Sequence, residues 1–133
     1  NVHLFGTHIH DALKVLLVKG YYQEAINISE DLDIDVTNTL RATIPLVGQK
    51  KLRNFVAKVR DNSSSHTFEK WITVFIEILS EDPLNKSLVS SIIEKEVRDP
   101  RMQCNLCINN GLIEEAKSLA RKHNLVEFIE LLG

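Results

Sequence analysis

Glycine and proline are scarce here, five and three among 133 residues. An all-β chain full of turns would use more of both, so the composition favours helices. Cysteine is scarcer still: two residues, Cys104 and Cys107. A single close pair excludes a disulfide framework and suits a reducing compartment, the cytoplasm. No apolar run nears the roughly 20 residues that cross a bilayer. The longest are "VLLV" and "WITVFIEIL", so no direct membrane insertion is expected. Neither sign of charge dominates. The formal net charge of −2 gives no global pull toward nucleic acid or an anionic membrane. No signal peptide shows either, and Asn1 in place of methionine suggests a piece of a longer protein.

What is present points to one helical domain, 1–133. Hydrophobic residues make up 44% and charged ones 26%, an ordinary globular balance. Apolar residues recur at helical spacing. Ile9, Ala12, Leu13, Leu16 and Leu17 form one stripe, and Gly20 should end that helix and reverse the chain. A second helix is expected from about Tyr21 to Leu32, with Ala25, Ile28 and Leu32 inward. Val36, Leu40, Ile44 and Val47 mark a third, capped by Asp35 or Thr37 and ended or kinked by Pro45. Leu52, Phe55, Val56 and Val59 mark a fourth.

The polar stretch "DNSSSH", 61–66, reads as a flexible loop. Thr67 should open a fifth helix carrying Phe68, Trp71, Ile72, Phe75 and Leu79. Asp82-Pro83 and Asp99-Pro100 pair a capping carboxylate with a proline that needs no N–H, so helices should start at both prolines. The first should bury Leu84, Leu88, Ile92 and Ile93, and the second Met102, Leu106 and Cys104 or Cys107. Gly111 should close that helix, "LIEEAKSLARKH" form another, and Asn124 cap a last one. The expectation is all-α: an α-solenoid of about eight or nine short antiparallel helices.

Two stretches repeat. "GYYQEAINIS" from Gly20 and "GLIEEAKSLA" from Gly111 share Gly, Glu and Ala (Gly20/Gly111, Glu24/Glu115, Ala25/Ala116). The glycine turns the corner, the bulky residues after it staple one helix to the next, and alanine lets the backbones approach. A unit of this kind cannot hide its apolar face alone and must stack on neighbours. The pattern resembles helical repeats of the tetratricopeptide superfamily, most nearly those of clathrin heavy chain and of Vps16-type C-terminal solenoids. That resemblance implies a membrane-traffic setting in a vesicle-tethering or coat-type assembly. It covers Leu13–Ile34 and Leu106–Leu125; around Gly48 no Glu-Ala follows.

No constellation assembles a reaction, so the chain is read as non-enzymatic and free of metal and cofactor. Cys104 and Cys107 lack the two further ligands that zinc requires, and at least one should face the core. His3, His8 and His10 beside Asp11 could meet a metal only if the terminus folded back. "SSSH" lacks the rigid base and orienter of a triad.

Charge is segregated. Glu30, Asp31, Asp33 and Asp35 are acidic, whereas Lys50, Lys51, Arg53, Lys58 and Arg60 are basic. Two solvated faces would explain both. The sharper reading makes the basic set a binding ridge for another protein, with Tyr21 or Tyr22 as further contacts or as the staple of their own hairpin. Trp71 belongs to the core or anchors an interface. The alternative is pentatricopeptide-like binding of single-stranded RNA through the basic 50–60 helix. Self-association through terminal helices is open as well.

Overall fold

A computed structural model describes residues 2–133, with side chains described from His8 onward. The described residues form nine α-helices and no strand. These are α1 Val2–Lys19, α2 Tyr22–Asp31, α3 Thr37–Val47, α4 Leu52–Asp61, α5 Ser65–Ser80, α6 Lys86–Glu96, α7 Pro100–Asn109, α8 Ile113–Lys122 and α9 Val126–Leu132. Single 3₁₀ turns, Gln49–Lys51 and Pro83–Asn85, lead into α4 and α6. The fold is all-α.

The chain forms two compact units, Asn1–Phe75 and Ile76–Gly133. Their boundary falls inside α5 and not in the polar stretch before it. In the first unit α1 packs on α2 and α3, and α4 packs on α2 and α3. Aromatic rings hold this core. Tyr22 meets Phe55 edge-on, with centroids 5.8 Å apart, and Phe55 stacks on Phe75 at the same distance. In the second unit α6 packs on α7, α7 on α8 and α8 on α9, as neighbours in a solenoid do. Its core uses smaller groups: Cys104 and Ala120, both 0% exposed, meet Phe128 with Ile108 and Leu125 around them. Arg101 of α7 also pairs with Glu127 of α9.

Both glycine turns are one hydrogen-bonded device. Gly20 has φ +89 and Gly111 φ +79, a left-handed conformation that side chains disfavour. Gly20 N–H donates to the Leu17 carbonyl (3.1 Å) and Tyr21 N–H to that of Leu16 (2.8 Å). Gly111 N–H donates to Ile108 (3.3 Å) and Leu112 N–H to Cys107 (2.8 Å). This pair of bonds satisfies the last free carbonyls of a helix. The far ends of the repeats match as well. Asp33 (φ 49) and Asn124 (φ 52) take the left-handed position, followed by Ile34 N–H to Ser29 and Leu125 N–H to Ala120, each 2.9 Å. Counted from the two glycines, the same positions carry the same bonds.

Several sequence expectations need correction. The inward stripe of α2 is Tyr22, Ala25, Ile26 and Ser29; Ile28 is half-buried and Leu32 is 46% exposed. Ala12 of α1 is exposed. In α3 the buried residues are Thr39, Leu40 and Thr43, and Val47 is only half-buried. The hydroxyls explain both shifts in phase. Ser29 Oγ donates to the Ile26 carbonyl (2.8 Å) and Thr43 Oγ1 to that of Thr39 (2.6 Å), so each polar side chain is buried already satisfied.

Pro45 lies inside α3, in its final turn, and the helix ends at Val47. The 61–66 stretch is half helical: α4 runs to Asp61 and α5 starts at Ser65, two residues before Thr67, so the loop is only 62–64. Ser64 starts α5 early by accepting the Thr67 N–H (3.2 Å), a capping contact. Asp82 and Asp99 do cap, accepting from Leu84 N–H and Arg101 N–H at 3.0 Å each. Pro83, however, begins a 3₁₀ turn ahead of α6, which leaves Leu84 90% exposed and turns Val89, Ile92 and Ile93 inward. Asn124 supplies a left-handed backbone position, and Leu125 is the residue at the N-cap of α9.

Candidate partner-binding groove

A concavity of about 760 Å³ lies in the first unit. One wall is the end of α2 and the turn into α3: Ser29, Glu30, Asp33, Ile34, Asp35 and Val36. The other is α5, whose His66, Glu69, Lys70, Thr73 and Val74 recur every three or four residues and so share a face. Trp71, also of α5, contributes to the floor. Four carboxylates, Glu30, Asp33, Asp35 and Glu69, face one lysine, Lys70. Beneath this acidic lip lie the apolar Ile34, Val36, Val74 and Trp71.

The backbone and the neighbouring side chains fix the lip. Ile34 N–H bonds back to Ser29, holding Asp33 left-handed at the corner. Asp35 Oδ1 accepts from Thr37 N–H (2.9 Å) and from Thr37 Oγ1 (2.6 Å). These two bonds, the hydroxyl first, hold the Asp35 carboxyl below the usual carboxylate range against the opposing effect of burial, and His10 adds a still smaller downward pull. Asp35 is therefore charged at neutral pH. His10 is itself anchored, its Nδ1 lying 2.6 Å from Thr39 Oγ1.

Trp71 is 4% exposed. Leu40, Phe55 and Phe68 line a second, apolar hollow against the same residue.

The basic residues singled out from sequence lie elsewhere. Lys50 and Lys51 sit exposed in the 3₁₀ turn before α4, and Arg53 and Lys58 are exposed on α4. Arg60 is partly covered, its side chain 17% exposed and its Nε 3.2 Å from Asp61 Oδ1. Lys58 and Arg60, two positions apart, point about 160° away from each other around the helix. The five do not share one face. Tyr21 is 53% exposed, whereas Tyr22 is the staple, packed on Phe55.

Cys104 and Cys107 are both free and buried. Burial pushes the Cys104 thiol up; burial, with Cys104 and Glu115 nearby, pushes Cys107 up to about 12. His8 is exposed, and the side chain of His3 lies outside the described ones. Among the described residues no three His, Cys, Asp or Glu gather as metal ligands, and no helix is long and apolar enough to cross a membrane. A smaller hollow in the second unit, about 320 Å³, is lined by Lys86, Ser87, Ser90, Ser91, Glu94 and Glu115 and has no apolar side chain.

Sequence reasoning noted the acids of 30–35 but not the wall opposite them. The stripe of α5 carries no signal of which segment it faces. No known protein family, curated protein or solved structure matches the chain.

Proposed function

We propose that this chain is a non-enzymatic scaffold for protein–protein interaction, a helical-repeat module of a larger protein. The observation that carries this reading is the groove of the first unit. It is open, apolar at its base and charged at its lip, the composition of a peptide-binding surface. Repeat arrays built from stacked hairpins present such surfaces between successive elements. The likeness of the two glycine hairpins to clathrin-type and Vps16-type repeats supports a cytoplasmic vesicle-tethering or coat-type assembly as the setting. The basic residues Lys50, Lys51, Arg53, Lys58 and Arg60 form a second, divided surface. Their division weighs against a continuous track for single-stranded RNA, which needs cations along one groove.

Affinity capture from cell lysate tests the scaffold reading. Wild type is compared with Glu30→Arg/Asp31→Lys/Asp33→Asn, which alters the groove, and with Lys50→Glu/Lys51→Glu/Arg53→Glu. The expected result is a specific protein recovered by wild type and by the second variant but lost by the first. Recovery of no specific protein by the wild type would overturn the scaffold, and equal recovery by all three would overturn the groove as its surface.

A further inference from the structure

The two repeats share a backbone but end in opposite charge. At the close of α8 the chain reads Arg121-Lys122-His123-Asn124; at the matching close of α2 it reads Glu30-Asp31-Leu32-Asp33. A helix C-terminus carries partial negative charge and favours cations, so α8 follows the rule and α2 breaks it. Departures of this kind are expected where function outweighs local stability. The acids of α2 repel one another and the helix end they decorate. Glu30 and Asp33 of this ending, together with Asp35 and Glu69, line the hollow that also holds Ile34, Trp71 and Val74.

We infer that this groove binds a lysine- or arginine-bearing peptide segment of a partner protein, whose cations meet the acidic lip and whose apolar side chain rests on Ile34 and Val74. The inference rests on the scaffold reading and adds the chemistry of the partner. Cations of the segment would meet Glu30, Asp33 and Asp35 at the lip, offsetting both their mutual repulsion and the helix-end potential. The half-buried Ile34 and Val74 would cover the segment's apolar side chain. An acidic or neutral segment gains none of the first contribution.

Trp71 is the chain's only tryptophan, so its fluorescence reports directly on occupation of the floor. The probe is a short peptide of lysine and leucine, with a control in which glutamate replaces each lysine. Saturable change in Trp71 emission is expected with the lysine peptide alone, weakening as salt rises because the contacts at the lip are exposed. Glu30→Arg/Asp31→Lys/Asp33→Asn writes the α8 ending onto α2, so its fold is retained, checked by circular dichroism, while affinity falls at least tenfold. No saturable change, equal response to the glutamate peptide, or unchanged affinity in the folded variant would overturn the inference. So would sedimentation showing a dimer that the same variant dissolves, which would make a second copy of the chain the occupant. If the peptide fails while a protein is still captured by wild type and lost by the groove variant, only the partner chemistry falls. Failure of both removes the scaffold as well.

Discussion

The turn at Gly20 and the turn at Gly111 use the same bonds to opposite ends. In each, a left-handed glycine closes one helix, a second left-handed residue closes the next, and an alanine 0% exposed marks the close approach (Ala25, Ala116). What surrounds the shared backbone differs. The second hairpin tucks Leu112 into its core at 5% exposure, whereas the matching Tyr21 stands out in solvent and its neighbour Tyr22 turns to Phe55. Cations end α8; acids end α2. The comparison separates what the turn requires from what the unit does with it: positive φ and a small residue are structural, and the charge is free to serve a partner.

The comparison can be broken at several points, the largest effect first. Cys104 and Cys107 occupy the positions where the first repeat has Leu13 and Leu16. Buried and with Cys107 pushed up to about 12, they should act as apolar fillers, and Cys107 should react with a thiol reagent about 10³-fold more slowly than a free thiol at neutral pH. Rapid labelling of the native protein, timed against the unfolded one, would contradict that.

Next comes the aromatic stack. Phe55→Ala should cost about 3–5 kcal/mol in urea unfolding, because it removes the ring that both Tyr22 and Phe75 contact. A cost below about 1 kcal/mol would show that the rings do not carry the first unit's core. Gly20→Ala and Gly111→Ala should then each cost about 1–2 kcal/mol and match one another, since a Cβ meets nothing within 4 Å at either site and the strain is purely conformational. Unequal costs would mean that the two turns are not one device.

The smallest effect is acid-dependent. Asp35 has a folded pKa below its ordinary value of 3.8, so its contribution is present above that value and is lost as pH falls through the lower folded one. Asp35→Asn should lower stability slightly at neutral pH and flatten the profile in that window, so that the variant and wild type converge as pH falls, read by thermal melts from pH 7 downward.

Much of this was legible in the sequence. The glycine hairpins, the Asp-Pro caps and the buried stripes of α4 and α5 all follow from spacing and cap chemistry, because each depends on neighbours within a few residues. The phase of α2 and α3 did not follow. Counting apolar residues alone turned Leu32 and Val47 inward, while Ser29, Thr39 and Thr43 took the core, Ser29 and Thr43 donating to their own helices and Thr39 paired with His10. Leu84 misled for a related reason: Asp82-Pro83 starts a turn before it starts a helix, and that turn faces outward. The groove was half-legible. Its acids stand together in sequence, but their opposite wall lies on α5, and only folding brings His66 to Val74 alongside them.

The central claim is that the charge at the end of α2 is set against that unit's own stability. Denaturant unfolding of Glu30→Arg/Asp31→Lys/Asp33→Asn beside the wild type at low salt tests it directly. The account predicts a variant more stable by about 1 kcal/mol, with the gain shrinking as salt is added. A variant that is equally or less stable, while still fully helical, would show that the acids belong to the fold and contradict it.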